Sequence, residues 1–562
     1  MKDPHTLASN LMLFFLNSVY EITQLFRPSK FVSRPVQNDL PIFYLEEVTE
    51  NEVTNIVRSL KASKAKDAHG LDTNFLKTNI DSLVAPITHL VNLSIRKCTV
   101  PTQWKVAVIT PIFKSGSKTD ISNYRPISIL PVISKVAEKW IVKSIVKHLD
   151  KGYTPLHPMQ FGFRAFHSTE SANCLFIEKL KCALNKAPCA MAVFLDFKKA
   201  FDSVSHQVLL SKLTHFNLSP EAIKWFTSYL SNREQCVSIN GIKSPYHTCS
   251  VGVPQGSIVG PILFSLFIND LPDVCKDVHI QMYADDAVIL THGKSYAEVS
   301  TVLTSVLTSV QDWLTDSCLL LNAKKTVCMA FSKRPVVMES SNVFLGGEEL
   351  ELVSEFKYLG VMLDSTLTFK KHVKKVTNTI KFNLQNFKQI RPFLAVSAAK
   401  SYLQCMILSH IEYCFTNWSC TGVTTLKPIE QLYKSALKVF DRKPHSYHHC
   451  NILQRYRFLS FANFKVFKQV SIIYKTLNGL CPPPLKEFIK RKPDRGLNTR
   501  AITRGDCEVP YRVTAFGKNT LSVQGCSIWN DLPLLIRDCL SFPSFKFNLK
   551  EWLLDNQTCD HV

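Results

Sequence analysis

The sequence predicts a mixed α/β fold, and three observations carry that prediction. Helical-period segments occupy both halves of the chain, short continuous apolar runs read as strands in the middle, and those runs lead into carboxylates. An apolar run at 191–195 stops at Asp196; a second at 279–283 reaches Asp285 and Asp286, and a third follows at 287–290. Two strands meeting at a polar pair form a hairpin, which sets both acids at its tip.

Taken in order, the first forty residues show little pattern, and Pro28, Pro35 and Pro41 punctuate what reads as an irregular lead-in over 1–45. The brief apolar patch at 11–16 has no small-residue cleavage site behind it and is not read as a signal peptide. Thr49 followed by Glu52 has the spacing of a capping box and opens a helix. Helical spacing returns at 80–97 and, after the loop that holds Pro126 and Pro131, at 133–149. A further helix over 206–216 follows the first strand. From 370 to 400 there are eight Lys or Arg and no acid, while Val373, Val376, Ile380, Leu384 and Phe387 recur at helical steps. That is a helix with one apolar and one basic face. A second basic stretch, 486–504, is broken by Pro493 and Gly496 and reads as a loop.

With 67 Lys+Arg against 45 Asp+Glu the net charge is +22, and 46% of the 562 residues are hydrophobic. This composition excludes a disordered tail and supplies sizeable cores. No run approaches the roughly 20 apolar residues that a bilayer span needs, so the chain is read as soluble with no membrane partner. The positive excess points to a polyanion. Eighteen cysteines are scattered from Cys98 to Cys559 without a C-x-x-C pair, the pattern of ordinary thiols in a reducing compartment. Cys405, His410, Cys414 and Cys420 fit no zinc spacing and are expected to be packing residues.

The carboxylates suggest chemistry. Mg²⁺ takes oxygen ligands and usually combines one or two carboxylates with water and substrate phosphates. Two such ions about 3.5–4 Å apart can activate an attacking hydroxyl and stabilise the leaving oxygen of a phosphoryl transfer. Asp196, Asp285 and Asp286 suit that role if their strands are neighbours; a lone Asp pair is a weak signal, because acids at solvated turns are commonplace, and the joint pattern carries the reading.

The surrounding residues sharpen the reading. Phe194-Leu195-Asp196-Phe197-Lys198-Lys199-Ala200-Phe201-Asp202-Ser203-Val204 resembles the first catalytic motif of reverse transcriptases from non-LTR (LINE-type) retrotransposons. Tyr283-Ala284-Asp285-Asp286 is similar to their Y-x-D-D hairpin, and Gly252-Val253-Pro254-Gln255-Gly256-Ser257 to their Gly-Pro-Gln-Gly motif. Asn123-Tyr124-Arg125-Pro126-Ile127-Ser128 and Gln160-Phe161-Gly162-Phe163-Arg164 resemble the fingers motifs; Leu321-Asn322-Ala323-Lys324-Lys325-Thr326 and Phe356-Lys357-Tyr358-Leu359-Gly360 resemble the last palm motifs. The thumb is resembled from Tyr402 to Trp418 and a C-terminal tail from Gly525 to Leu554. No endonuclease domain precedes the motifs, although many such elements carry one, so a truncated genomic copy is expected.

The resemblance implies a right-hand polymerase fold of the α/β (α+β) class. Fingers and palm span 46–363, with core motifs at 110–363; a helical thumb covers 364–460 and a basic C-terminal region 461–562. It implies an RNA-directed DNA polymerase with an RNA template, a DNA primer or target, and deoxynucleoside triphosphates. Asp196, Asp285 and Asp286 would hold two Mg²⁺ ions, with Mn²⁺ as a substitute. Lys114 and Arg125 would meet the triphosphate, Arg by its planar fork. Phe201 would lie beneath the ribose and exclude a 2′-hydroxyl; Gln255 and Gly256 would stand beside the templating base; Lys325 would assist proton transfer to pyrophosphate. Lys371, Lys374, Lys375 and Lys381 would grip the nucleic-acid backbone. An intracellular site of action, the nucleus, follows from target-primed synthesis on chromosomal DNA in that family. Phe201 and Gln255 argue against an RNA-dependent RNA polymerase, and the thumb and tail against a group II intron maturase. A catalytically inactive nucleic-acid-binding remnant of a decayed element is the alternative from another class.

Overall fold

Apolar runs bounded by turn residues become most strands of two five-stranded sheets, and two two-stranded ribbons complete the strand set among the described residues. The computed structural model describes residues 3–27, 29–31, 39–152, 154–334, 338–493, 505–512 and 514–557. Its strands are β1 (Val106–Phe113), β2 (Tyr124–Ile129), β3 (Cys189–Asp196), β4 (Arg233–Ile239), β5 (Ile242–Lys243), β6 (His247–Cys249) and β7 (His279–Tyr283). They continue as β8 (Asp286–Gly293), β9 (Val327–Ser332), β10 (Phe344–Leu345), β11 (Glu348–Glu349), β12 (Glu351–Leu352), β13 (Glu355–Tyr358) and β14 (Val361–Asp364). The chain divides into two units.

The first unit comprises Met1–Phe163, Leu195–Asp277 and Val306–Lys325. Its sheet runs β2-β1-β4-β5, with β6 on β4. β1 is antiparallel to β2, pairing Val108 with Ile129 and Phe113 with Tyr124, and parallel to β4, pairing Val106 with Glu234. The expected irregular lead-in is corrected here: a helix spans Pro4–Thr23. Asp3 caps it by accepting the Thr6 N–H at 3.1 Å, and Pro4 occupies the first turn, where its missing N–H costs nothing. Ala8, Leu11, Met12 and Phe15, at helical steps, bury against Ile109 of β1 and Val237 of β4. Pro28 and Pro35, which suggested irregularity, lie outside the described residues; Pro41 follows the helix.

Other expectations hold locally. Thr49 and Glu52 form the capping box of helix Glu50–Ser59, with Glu52 N–H donating to Thr49 Oγ1 and Thr49 N–H to Glu52 Oε2, each at 3.3 Å. Helices Ile80–Arg96, Val132–Asp150 and His206–Thr214 match the patterns read at 80–97, 133–149 and 206–216.

The second unit comprises Arg164–Phe194, Val278–Ser305 and Thr326–Val562. Its sheet runs β12-β9-β3-β8-β7. β3 is buried from Cys189 to Leu195 and pairs antiparallel with β9, Phe194 opposite Val327. β7 and β8 form the expected hairpin, closed by the Tyr283–Asp286 pair. The two-residue turn is therefore Ala284-Asp285, with Ala284 at φ +55°, so Asp285 is at the tip and Asp286 is the first residue of β8 rather than part of the turn.

The basic amphipathic pattern becomes helix Lys370–Ile390, with Val373, Val376, Ile380, Leu384 and Phe387 all buried. The helix stops at Ile390 rather than running to 400, because Pro392 cannot continue it; a new helix, Val396–Tyr402, follows. The C-terminal region contains helices Phe461–Leu477, Leu521–Asp531 and Phe542–Asp555, joined by Tyr474 stacked on Phe545 at 4.1 Å. Of the basic stretch at 486–504, residues 494–504 lie outside the described residues. Cys414 and Cys420 are buried, as expected of packing thiols, whereas Cys405 is exposed and His410 half-buried, so the packing expectation is corrected for Cys405. Among the described residues no helix is long and apolar enough to cross a membrane.

Met12 is fully buried in the contact between the first helix and its sheet. Met12→Ala should therefore lower stability by about 2–5 kcal/mol in urea unfolding, as large-to-small core changes do. A change below about 0.5 kcal/mol would mean that this helix does not pack.

Candidate active site

A carboxylate is costly to bury, and the carboxylates predicted to act lie where burial ends. β3 emerges at Asp196, which is half-buried, while Asp285 and Asp286 are exposed. The sheet order makes β3 and β8 neighbours, so Asp196 ends one strand and Asp286 opens the strand beside it. Among the described residues no three His, Cys, Asp or Glu side chains form a cluster able to hold a metal by themselves. Exposed carboxylate oxygens nonetheless suit Mg²⁺, which fills the rest of its coordination from water and phosphate.

In the first unit, the turn that carries Lys325 is tied to Asp196 through the backbone. Asp196 C=O accepts the Asn322 N–H at 2.7 Å, and Asn322 C=O accepts the Lys325 N–H at 3.0 Å. Lys325 itself is exposed. Lys114 and Arg125 lie on the β1–β2 hairpin, both exposed; Lys114 N–H donates to Asn123 C=O at 2.8 Å, just past the Phe113–Tyr124 pair.

Phe201, Gln255 and Gly256 are brought together by an exchange of backbone bonds between two loops. Val253 N–H donates to Phe201 C=O and Gly252 N–H to Val204 C=O, both at 2.8 Å. Gly252, at φ +84°, permits this approach, since a Cβ there would stand 2.5 Å from the Asp202 carbonyl oxygen. At the other end Gln255 C=O accepts the Ser128 N–H at 2.7 Å. Gly256, at φ +124°, passes so close to β2 that a Cβ would lie 2.3 Å from Ser128 O. The loop is thus strung between β2 and the turn that follows Asp196. Phe201 stacks on buried Phe264 of helix Gly260–Phe267, with centroids 4.4 Å apart and planes at 24°.

Two residues that sequence reading passed over hold this loop. Asp202 Oδ1 accepts a hydrogen bond from Gln255 Nε2 at 2.8 Å, fixing which end of that amide is free. Burial pushes the Asp202 carboxyl up to about 6, against the opposing pull of Gln255 and of Lys199. Its neighbour Lys199 donates to Ser18 Oγ on the first helix. A cavity of about 310 Å³ beside the pair is lined by Lys199, Asp202, Arg233 and Gln255 and by Phe15 and Tyr20 of that helix. Glu138, almost fully buried, accepts from Ile258 N–H at 2.6 Å and from Tyr229 OH at 3.1 Å, capping the segment that enters helix Gly260–Phe267. Burial raises its carboxyl as well. Glu138 had a signal in the sequence: it lies on the otherwise apolar face Val136, Ala137, Trp140, Ile141.

In the second unit, Lys371, Lys374, Lys375 and Lys381 are all exposed on helix Lys370–Ile390. Lys371 is not a free cation, because it pairs with Glu355 of β13.

Comparison with known proteins gives this arrangement a context. Residues 114–363 match the family model described as reverse transcriptase (RNA-dependent DNA polymerase). The chain is 31% identical over 386 residues to a Drosophila melanogaster protein described as RNA-directed DNA polymerase from mobile element jockey, covering 67% of this chain and 41% of that protein. It is 28% identical over 421 residues to the jockey protein of Drosophila funebris, covering 73% and 45%. A probable RNA-directed DNA polymerase from transposon BS of Drosophila melanogaster is 29% identical over 427 residues, covering 73% and 46%. The chain thus spans less than half the length of these relatives.

Asp202 gives the first-unit loop a pH signature. Between its unfolded value of 3.8 and its folded value of about 6 the native state keeps a proton that the unfolded chain has released, so its contribution to stability falls as pH rises through that window. A rise of roughly two units corresponds to about 3 kcal/mol. Asp202→Asn, which can still accept from Gln255, should lose this slope and gain stability relative to wild type between pH 4 and 7 in urea titrations. A constant difference between the two proteins across that range would contradict the burial assignment.

Proposed function

Residues 114–363 belong to the reverse transcriptase family, and from that premise we propose that this chain is an RNA-directed DNA polymerase extending a DNA primer on an RNA template by two-metal nucleotidyl transfer. The observation that carries the proposal is that the carboxylates stand where strands end, Asp196 closing β3, Asp285 in the β7–β8 turn and Asp286 opening β8. In the reaction the primer 3′-hydroxyl attacks the α-phosphate of a deoxynucleoside triphosphate and pyrophosphate departs.

Asp196 and Asp285, with Asp286, are the proposed ligands of two Mg²⁺ ions, replaceable by Mn²⁺. When bound, these ions supply charge stabilisation for the attacking and leaving oxygens. The remaining work falls to side chains. Arg125 presents two parallel N–H donors to triphosphate oxygens, and Lys114 adds a point charge. Gln255, its Nε2 engaged by Asp202, offers its carbonyl oxygen beside the templated pair, and Gly256 keeps the backbone low enough for a base to approach. Phe201, backed by Phe264, occupies the space that a ribose 2′-hydroxyl would need. Lys325, on the turn whose backbone is bonded to Asp196, is the proposed proton donor to the departing pyrophosphate. Lys374, Lys375 and Lys381 neutralise backbone phosphates of the template–primer. The site of action consistent with this reading is chromosomal DNA in the nucleus.

Asp285→Asn and Asp196→Asn should each abolish primer extension while leaving template–primer affinity within about threefold, because a neutral amide replaces an anionic metal ligand without touching the duplex. Extension by either variant at near wild-type rate contradicts the assignment, and loss of binding along with activity points to unfolding instead.

The exposed lysines make a separate, salt-dependent prediction. Each phosphate contact contributes about 0.7–0.9 to the slope of log affinity against log salt. With Lys371 committed to Glu355, changing Lys371, Lys374, Lys375 and Lys381 together to Gln should flatten that slope by roughly 2–3 rather than by the value for four free contacts. Binding should weaken alike on unrelated template sequences, because backbone contacts carry no base information. An unchanged slope with unchanged circular dichroism would make these lysines a solvated face.

A further inference from the structure

Phe163 combines three properties that a packing residue does not combine. Its side chain is 52% exposed, so burial contributes little to holding it. Its backbone sits at φ +58°, a left-handed conformation that a bulky L residue adopts only at a cost. Its ring meets Phe201 edge to face, with centroids 6.2 Å apart and planes at 88°. Phe163 is one of three left-handed phenylalanines among the described residues, with Phe166 and Phe369, and it is the one whose ring contacts Phe201.

The turn that carries it is firmly fixed. Phe161, 1% exposed, anchors the segment in the core, and Gln160 Oε1 accepts the Gly162 N–H at 2.8 Å. The surroundings therefore force Phe163 into its strained conformation, the situation in which strain accompanies function. Phe201 is enclosed on one side by Phe264 and held at its carbonyl by the Val253 N–H. The half-exposed ring of Phe163 meets half-buried Phe201 from a second direction, edge to face where Phe264 stacks.

We propose that Phe163 is a second specificity-determining residue, forming with Phe201 a two-ring apolar corner that receives the deoxyribose of the incoming nucleotide. Phe201 limits the space at the 2′ position, and Phe163 fixes the sugar against it by contact from the adjoining wall. The proposal rests on the reading of Phe201 as the sugar gate, and the experiment keeps the two apart.

Phe163→Gly removes the ring and places at this φ the residue that tolerates it best; Phe163→Tyr keeps the ring; Phe201→Ala tests the gate. Single-nucleotide extension would be measured on an RNA template with each deoxynucleotide and its ribonucleotide, alongside melting temperature. The expected result is a Phe163→Gly protein that melts no lower than wild type, with KM for deoxynucleotide raised at least fivefold and kcat within about twofold. Its preference for deoxyribose over ribose should also fall, while Phe163→Tyr stays near wild type. If Phe201→Ala relaxes sugar preference at least tenfold but Phe163→Gly leaves KM and preference within twofold, the gate stands and the role of Phe163 is wrong. If neither substitution moves the preference, the gate reading fails and this proposal fails with it. A lower melting temperature for Phe163→Gly would also overturn it, since the ring would then be serving the fold.

Discussion

The burial of β3 on both faces is the constraint from which the rest of the candidate site follows. Seven consecutive residues, Cys189 to Leu195, are removed from water, and the eighth is Asp196. A strand so enclosed cannot slide by a residue without driving a carboxylate into the core or an apolar side chain out of it, and a one-residue slip would also reverse every side chain. The register with β9, Phe194 opposite Val327, therefore fixes the position of Asp196 along the sheet. The turn that follows inherits that position. Lys198 N–H donates to Leu320 C=O at 2.8 Å, and Asn322 N–H to Asp196 C=O, so the 320–325 segment is set by the same strand end.

Downstream of that fixed point, precision comes from close backbone approach. Gly252 and Gly256 let the loop between them lie against Asp202 and Ser128, where any other residue would collide with a carbonyl oxygen. Buried Glu138 and half-buried Asp202 then set the details. Glu138 satisfies the N–H groups leading into helix Gly260–Phe267, and Asp202 selects one orientation of the Gln255 amide. Acids so placed are tolerated because each accepts hydrogen bonds from groups that would otherwise be unpaired. Phe264 completes the arrangement from behind by stacking on Phe201.

Much of this was legible in the sequence, for definable reasons. The strands ending at Asp196 and Asp285-Asp286, the Thr49–Glu52 capping box and the buried stripe of helix Lys370–Ile390 all follow from local periodicity or local side-chain chemistry. Helix Pro4–Thr23 is encoded by Asp3-Pro4 and the spacing of Ala8, Leu11, Met12 and Phe15, but Pro28, Pro35 and Pro41 give the segment the local signature of irregular chain and mask it. The bonds of Asp202 to Gln255 and of Lys371 to Glu355 join residues 53 and 16 positions apart and leave no trace in any short window. The left-handed backbone of Phe163 is likewise invisible, since nothing in a Phe codes for positive φ.

The central proposal is that this chain synthesises DNA on an RNA template through Asp196, Asp285 and Asp286. Its most direct test is extension of an oligo(dT) primer on poly(rA) by the purified wild-type chain. The account predicts processive addition of dTMP that requires Mg²⁺ or Mn²⁺, stops with chelator, and proceeds far more slowly with UTP. Tight binding of the primed template with no nucleotide addition under either metal would contradict it and leave a nucleic-acid-binding protein without catalysis.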